Sequence, residues 1–180
     1  FDDTVITSNT VSKNFRTIFV RSMGEHWSVG GISELFSSTY RNINWQITFF
    51  PAIEYDLFPY SEYSNKQLRF LYSAGYAFSQ YTDTTIFNVK EEGLYSQNFE
   101  IALKIIKNWG SVSAAINGSS YFHDFSKNSL DVWTQLSIRI IKGLSVSISG
   151  NTSLIHDQIS LPKAKASSED ILLKQRQLAT

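Results

Sequence analysis

The chain has 180 residues, which fits one domain, and its 16 basic and 16 acidic side chains leave no formal net charge. A chain without a basic excess is a poor candidate for general nucleic-acid binding. The absence of cysteine excludes disulfide bonds, thiolate catalysis and metal sites built on thiolates.

The most regular pattern in the sequence is an alternation of apolar and polar residues between Trp45 and Leu57. A period of two places successive side chains on opposite faces of a β-strand, so one face of this strand is apolar along its whole length. Phe50 is the single exception, and the strand is about as long as one that crosses a bilayer at a tilt. The apolar face holds Trp45, Ile47, Phe49, Pro51, Ile53, Tyr55 and Leu57.

Related patterns predict eight strands in all, separated by turn-forming residues. In chain order they cover residues 12–23, 26–40, 45–57, 66–80, 99–105, 112–122, 130–140 and 144–154. Gly30 and Gly31 predict a bend or bulge in the second strand. Pro51 predicts a local break in the hydrogen-bond ladder, because proline has no N–H to donate.

Consecutive strands with such connections form an antiparallel meander. We therefore predict an all-β, up-and-down fold that forms a transmembrane β-barrel or part of one. Short turns are expected at one end of the barrel and longer loops at the other. The longer loops would be residues 81–93 and 122–128, although residues 40–43 and 58–65 fit this alternation poorly. Beyond Pro162, Ser167 and Asp170 resemble a capping box and predict a short helix in a C-terminal loop.

A resemblance to a known family supports this interpretation. It rests on four segments: residues 21–31, 109–113, 121–128 and the tail through 176–180. The chain resembles an uncharacterised family of outer-membrane β-barrel proteins from Bacteroidota-type bacteria, and the resemblance covers nearly its whole length. It implies that a final strand ending in an aromatic residue follows such a tail. On this basis residues 1–180 are expected to be a single barrel domain truncated at both ends. The resemblance implies no activity for any residue.

Charged residues on the polar faces of the predicted strands are the candidate functional residues. In a membrane barrel they would line the lumen, where opposite charges should pair because an isolated charge in a narrow interior is costly. In a soluble barrel or sandwich the same residues would face solvent and the apolar face would bind an apolar ligand. Periodicity does not distinguish the two. The candidates are Glu34, Glu54, Asp56, Arg69, Glu100, Lys104, Asp131 and Arg139.

Catalysis has one weak candidate, His123-Asp124 with Ser126 nearby. A Ser/His/Asp hydrolase on a barrel needs these groups to converge in space, and the sequence has no nucleophile-elbow motif, so a hydrogen-bonded turn is the favoured interpretation. His26, His123 and His156 show no metal-ligand spacing. The sequence predicts no cofactor, no metal and no enzymatic activity.

The favoured function is therefore an integral protein of the bacterial outer membrane. Its roles would be a passive pore, a structural anchor or a docking platform for an N-terminal domain of the same chain, with the lipid bilayer as its partner. A soluble barrel or sandwich that binds an apolar ligand and a barrel-type outer-membrane hydrolase are the alternatives. Mixed charges on the polar face predict no strong selectivity ring.

Overall fold

The protein is an all-β molecule built on a single antiparallel sheet. The computed structural model describes residues 10–162, so the helix predicted around Ser167 and Asp170 lies outside the described residues. In that range a 3₁₀ turn at Tyr60–Glu62 is the only helical element. The strands are β1 (Ser12–Ser22), β2 (Trp27–Ser38), β3 (Ile43–Asp56), β4 (Lys66–Tyr81), β5 (Glu91–Lys107), β6 (Gly110–Tyr121), β7 (Asp124–Ile141) and β8 (Leu144–Ile155).

The eight strands follow one another through the sheet in chain order, each hydrogen-bonded to its neighbours in sequence. This order confirms the predicted antiparallel meander and the predicted number of strands. The sheet does not close on itself, because β1 and β8 form its two edges and are not paired with each other. All residues of both edge strands are exposed.

The sheet curls around the face that the sequence marks as polar. Residues from β1 through β7 line one cavity of about 460 Å³. Among them, Thr48, Ser73, Asn117 and Asp131 occupy alternate positions that the strand register brings to the same face. We call this the concave face and the opposite, outward-curving face the convex face.

Burial in this sheet is the reverse of burial in an ordinary globular domain. Ser73 on the concave face is 6% exposed, whereas Phe49 on the convex face is 60% exposed. The only buried hydrophobic residues between positions 10 and 162 are Ile43, Tyr81 and Leu161, which lie together at one end of the sheet. Phe50, the exception to the alternation, lines the concave cavity.

Pro51 interrupts the ladder on one side only, as its missing N–H predicts. The pairs between β3 and β4 pass from Phe49↔Tyr76 to Ala52↔Ser73 without a register shift, so no pair forms at Pro51 on that side. On the β2 side Pro51 keeps its pair with Gly31. The prediction of a local break at Pro51 is confirmed.

Of the bend or bulge predicted at Gly30 and Gly31, the bulge does not form. Both glycines keep regular register with β1 and β3. The irregularities instead fall near strand ends, between Phe36 and Ser38, Ile43 and Trp45, Ser120 and Tyr121, and Arg139 and Ile141. Extra residues next to a turn adjust the hairpin without disturbing the middle of the ladder, which explains this placement. The shift at Ser120 and Tyr121 is the largest, since their partners are Asn128 and Asp124.

The predicted alternation of short turns and long loops is also wrong. β5 begins at Glu91, so the loop predicted at residues 81–93 shortens to 82–90. β7 begins at Asp124, and the predicted loop over 122–128 is a tight hairpin in which Tyr121 pairs with Asp124. Residues 91–93 are too polar to show an apolar alternation, but pairing with β4 holds them extended. Residues 125–127 have no partner in the register between β6 and β7 and form an irregularity next to the hairpin.

Gly75 on β4 lies where the backbone of β3 comes unusually close, next to Pro51. A β-carbon at Gly75 would overlap the carbonyl oxygen of Phe49 on the neighbouring strand. We expect Gly75→Ala to lower the free energy of unfolding by about 1–3 kcal/mol, the usual cost of overpacking. The measurement is urea unfolding of the protein refolded in detergent micelles, followed by tryptophan fluorescence.

Gly31→Ala is the matched control, because a β-carbon there makes ordinary contact with the Phe49 ring at 3.6 Å. It should leave stability nearly unchanged. Equal stabilities of the two variants would contradict the close approach at Gly75.

Candidate functional site

The strand register places all eight predicted charged residues on the concave face, and they lie at different levels along it. Arg16, which the sequence interpretation did not include, joins three of them around the main cavity. The sequence pattern could have identified Arg16, because it is the polar neighbour of the apolar Phe15 in the first strand. The eight are Glu34, Glu54, Asp56, Arg69, Glu100, Lys104, Asp131 and Arg139.

Arg69 is the centre of the charge network on this face. Its guanidinium Nη2 forms an ion pair and hydrogen bond with Glu100 Oε1 on the adjacent strand. Its Nε lies 3.9 Å from Glu54 Oε2 on the other side, beyond hydrogen-bond distance. Arg69 thus neutralises part of the charge of two carboxylates, as expected for charged groups in a confined interior. The group of three keeps a net negative charge.

Glu54 and Asp56 continue this network towards the turn that follows β3. Glu54 Oε1 accepts hydrogen bonds from Ser28 Oγ at 3.3 Å and from the Tyr60 hydroxyl at 3.4 Å. Burial raises the pKa of the Tyr60 hydroxyl, so the phenol remains a neutral donor. Asp56 is 2% exposed and accepts from Gln67 Nε2 at 2.9 Å. Every carboxylate in this part of the face therefore has donors.

The remaining candidates are held separately. Glu34 Oε1 accepts from Asn14 Nδ2 at 2.5 Å, and Asp131 accepts from the Ser153 hydroxyl. The Lys104 ammonium lies 5.2 Å from the centre of the Tyr63 ring, a cation–π contact. The structure therefore brings only Glu54, Arg69 and Glu100 together, with Asp56 next to them in the fold.

The convex face carries no Asp, Glu, Lys or Arg over the middle of the described strands. On β3 and β4 its residues run from Trp45 to Tyr55 and from Leu68 to Gln80 without a charge. On β8 they run from Leu144 to Leu154, again without a charge. Charged convex residues stand only at strand ends, such as Lys13 in β1. The two faces thus differ in charge as well as in polarity.

Polar groups on the convex face hydrogen-bond to one another. The Tyr72 hydroxyl donates to Gln97 Oε1 at 2.8 Å, and Gln97 Nε2 donates to Ser120 Oγ at 3.1 Å. The Trp45 indole N–H donates to Gln80 Oε1 at 2.8 Å. Such mutual pairing is required where water is absent, because an unpaired polar group there is costly.

Two pairs of packed aromatic side chains lie near the two ends of the convex face and define two aromatic levels, with further aromatic residues such as Phe49 and Tyr76 between them. Trp27 and Tyr55 pack with ring centres 4.7 Å apart near one end of the strands, and Trp45 and Phe78 pack at 5.4 Å near the other. Trp45 and Tyr55 are ten residues apart on β3. At about 3.3 Å per residue and a tilt of about 40°, their levels are separated by about 25 Å, the height of the apolar band of a transmembrane barrel.

In the structure, the catalytic candidates Asp124 and Ser126 form a local hydrogen-bonded turn. Asp124 Oδ1 accepts from the backbone N–H of Ser126 at 3.0 Å and from its hydroxyl at 2.6 Å. The His123 ring packs 5.6 Å from the Tyr121 ring. A triad needs the imidazole between the carboxylate and the hydroxyl, whereas here the carboxylate holds the hydroxyl directly.

No cluster of three or more metal-binding side chains occurs within residues 10–162. No helix of the described chain is long and apolar enough to cross a membrane. Comparisons with protein-family models, curated proteins and solved structures found no match to this chain. The geometry of the two faces is therefore the basis for any functional inference.

The charge network predicts the effect of removing its cation. Arg69→Met leaves the Glu54 and Glu100 carboxylates close together without a counter-charge. We expect the free energy of unfolding to fall by about 1–3 kcal/mol, the range for losing hydrogen bonds to charged groups. Urea unfolding of the variant refolded in detergent micelles measures this loss.

Arg139→Met is the matched control, since the structure gives Arg139 no ion pair within the described range. It should change stability by less than about 0.5 kcal/mol. In the double variant Arg69→Met/Glu100→Gln, part of the lost stability should return because one repelling charge is gone. A double variant less stable than Arg69→Met would refute the pairing.

Proposed function

We propose that this protein is an integral β-barrel protein of the bacterial outer membrane, with its convex face against lipid and its concave face around a water-filled interior. The observation that carries the proposal is the inverted burial: hydroxyl, amide and carboxylate groups line the concave cavity together with Ile32, Phe50 and Leu71, whereas Phe49 and its neighbours on the convex face are exposed. In water such a surface would be far larger than the apolar patches that monomeric proteins tolerate. In a bilayer it is the expected lipid contact.

Three further observations on the convex face support a bilayer as its partner. Charged residues are restricted to strand ends. The polar side chains of Tyr72, Gln97 and Ser120 satisfy one another. The two aromatic levels are about 25 Å apart, which suits the girdles at the two membrane interfaces.

The open edges bear on the size of the barrel. A strand edge facing hydrocarbon leaves backbone N–H and C=O groups without partners, so open sheets do not span membranes. β1 and β8 are both unpaired on their outer sides among the described residues. We therefore propose that further strands complete the barrel and that the eight strands form part of its wall.

Within this proposal the protein has a non-enzymatic role, as a passive pore, a structural anchor or a docking platform. The polar lining and the mixed charges of the concave face suit a hydrated interior. They disfavour an apolar ligand site, because the apolar residues lie mostly on the convex face. The turn at Asp124 and Ser126 likewise disfavours a hydrolase.

Paired substitutions on β3 test the assignment of the two faces. Phe49→Arg places a charge on the convex face midway between the aromatic levels and should cost about 2–4 kcal/mol of stability in lipid vesicles. Thr48→Arg, one residue away on the concave face, is the control and should cost much less. Urea unfolding in vesicles measures both, and equal costs would contradict the assignment.

Spin labels give an independent readout without a charge. Cysteines introduced singly at residues 46 to 54 of this cysteine-free chain should alternate between accessibility to oxygen in lipid and to a water-soluble relaxation agent. Uniform accessibility along β3 would contradict the proposal. So would a monodisperse, cooperatively unfolding monomer in detergent-free buffer, because exposed edges and an apolar convex face should make the chain aggregate in water.

A further inference from the structure

The chain does not leave the sheet when β8 ends. Residues 156–162 cross from the end of β8 to the connections between β2 and β3 and between β4 and β5. Ile86 donates its backbone N–H to the Leu161 carbonyl at 2.8 Å, and Thr85 forms an isolated bridge with Pro162. We call residues 156–162 the latch segment.

The side chain of Asn42 connects the latch segment to the loop that follows β4, and we call this set of hydrogen bonds the Asn42 joint. The side-chain Nδ2 of Asn42 donates to the Ser160 carbonyl at 3.0 Å and to the Asp83 carbonyl at 2.9 Å, while its Oδ1 accepts from the Asp83 N–H at 2.7 Å. Its backbone has a φ of 59°. Asparagine tolerates this left-handed conformation better than most residues, and its amide can pair with both donors and acceptors.

The small apolar core of the described chain lies at this joint. Leu161 of the latch segment, Ile43 and Tyr81 are its buried hydrophobic residues, and Thr85 beside them is fully buried. Elsewhere in the sheet, apolar side chains are exposed on the convex face. The contact of the latch segment with the sheet is therefore packed as a protein interior, unlike the rest of the molecule.

The latch segment forms one wall of the concave space. A cavity of about 220 Å³ lies between the segment Asp157, Gln158, Ile159 and Ser160 and the ends of the strands. It shares Ser129 and Asp131 with the main cavity. The two cavities are therefore neighbours on the concave face, and the latch segment lines the one at the end of the strands.

We propose that the latch segment closes this end of the concave space and opens by releasing Asn42 and Leu161. The inference rests on the proposed function, because only a water-filled interior gives the closure a role in solute passage. The closed state depends on local contacts, among them the Asn42 side chain, the bridge at Thr85, the buried Leu161 and the hydrogen bond from the His156 N–H to the Asn128 carbonyl, whereas the strands depend on long ladders. Release of the latch segment therefore leaves the sheet intact.

Thiol labelling tests the proposal, since the chain has no cysteine of its own. Ser129→Cys places a reporter in the space under the latch segment. In vesicles a bulky hydrophilic maleimide should label it slowly, and adding Asn42→Ala should raise the rate about tenfold, the factor that corresponds to about 1.4 kcal/mol of lost closure. Asn44→Ala is the matched control, because its amide bonds to Gln80 and not to the latch segment.

A second variant and a second reporter keep the outcome decisive. Leu161→Ser weakens the latch segment through its buried side chain and should raise labelling at residue 129 as Asn42→Ala does. A reporter at Ser147 on β8, which lines neither cavity, should react at the same rate in every background. Unchanged labelling at residue 129 in both latch variants would overturn the proposal, as would a parallel rise at residue 147.

The two proposals fail in different ways. If the convex face does not contact lipid, the spin labels on β3 will not alternate in vesicles, and the outer-membrane proposal fails. The labelling series can then be run in detergent micelles, where the latch variants still report closure. Alternating spin labels together with constant labelling at residue 129 would overturn the latch alone.

Discussion

Backbone hydrogen bonds between neighbouring strands are the constraint on which this structure depends. The described sheet has almost no apolar core, so the packing that usually holds an all-β domain together is missing. Each inner strand is instead hydrogen-bonded to a neighbouring strand on both sides, apart from local gaps such as the one at Pro51. This arrangement gains in strength as water is removed, because the same bonds are stronger in a medium of low dielectric constant. A fold with these properties is compatible with the proposed place in a bilayer.

The sequence predicts the fold well where alternation is strong and poorly where it is weak. On β3 the contrast between Phe49 and Thr48 repeats over the whole strand, and the strand and its faces are where the alternation puts them. The beginning of β5 was missed because Glu91 and Gly93 look like loop residues. Their extended conformation comes from pairing with Gln80 and Phe78 of β4, a tertiary effect that a local pattern does not contain.

Sequence alone could not decide which face is inside, because a period of two is the same for both faces. The curl of the sheet decides it, because the main cavity lies on the face of Thr48 and Ser73. The site shows the same limit. Alternation put Arg69, Glu54 and Glu100 on one face, but the pairing of Arg69 with Glu100 required the register between β4 and β5. Asn42 gave no signal, since its partners at Asp83 and Ser160 are distant in sequence.

The contact between Asn42 and Ser160 has a consequence for the order of folding. Every strand pairs with the strands next to it in sequence, so the sheet can grow hairpin by hairpin, with little loop-closure entropy at each step. Asn42 and Ser160 are separated by 118 residues, and their contact needs all of the later strands to be in place. We expect it to form after β8 joins the sheet, which makes the joint at Asn42 a marker of completed assembly.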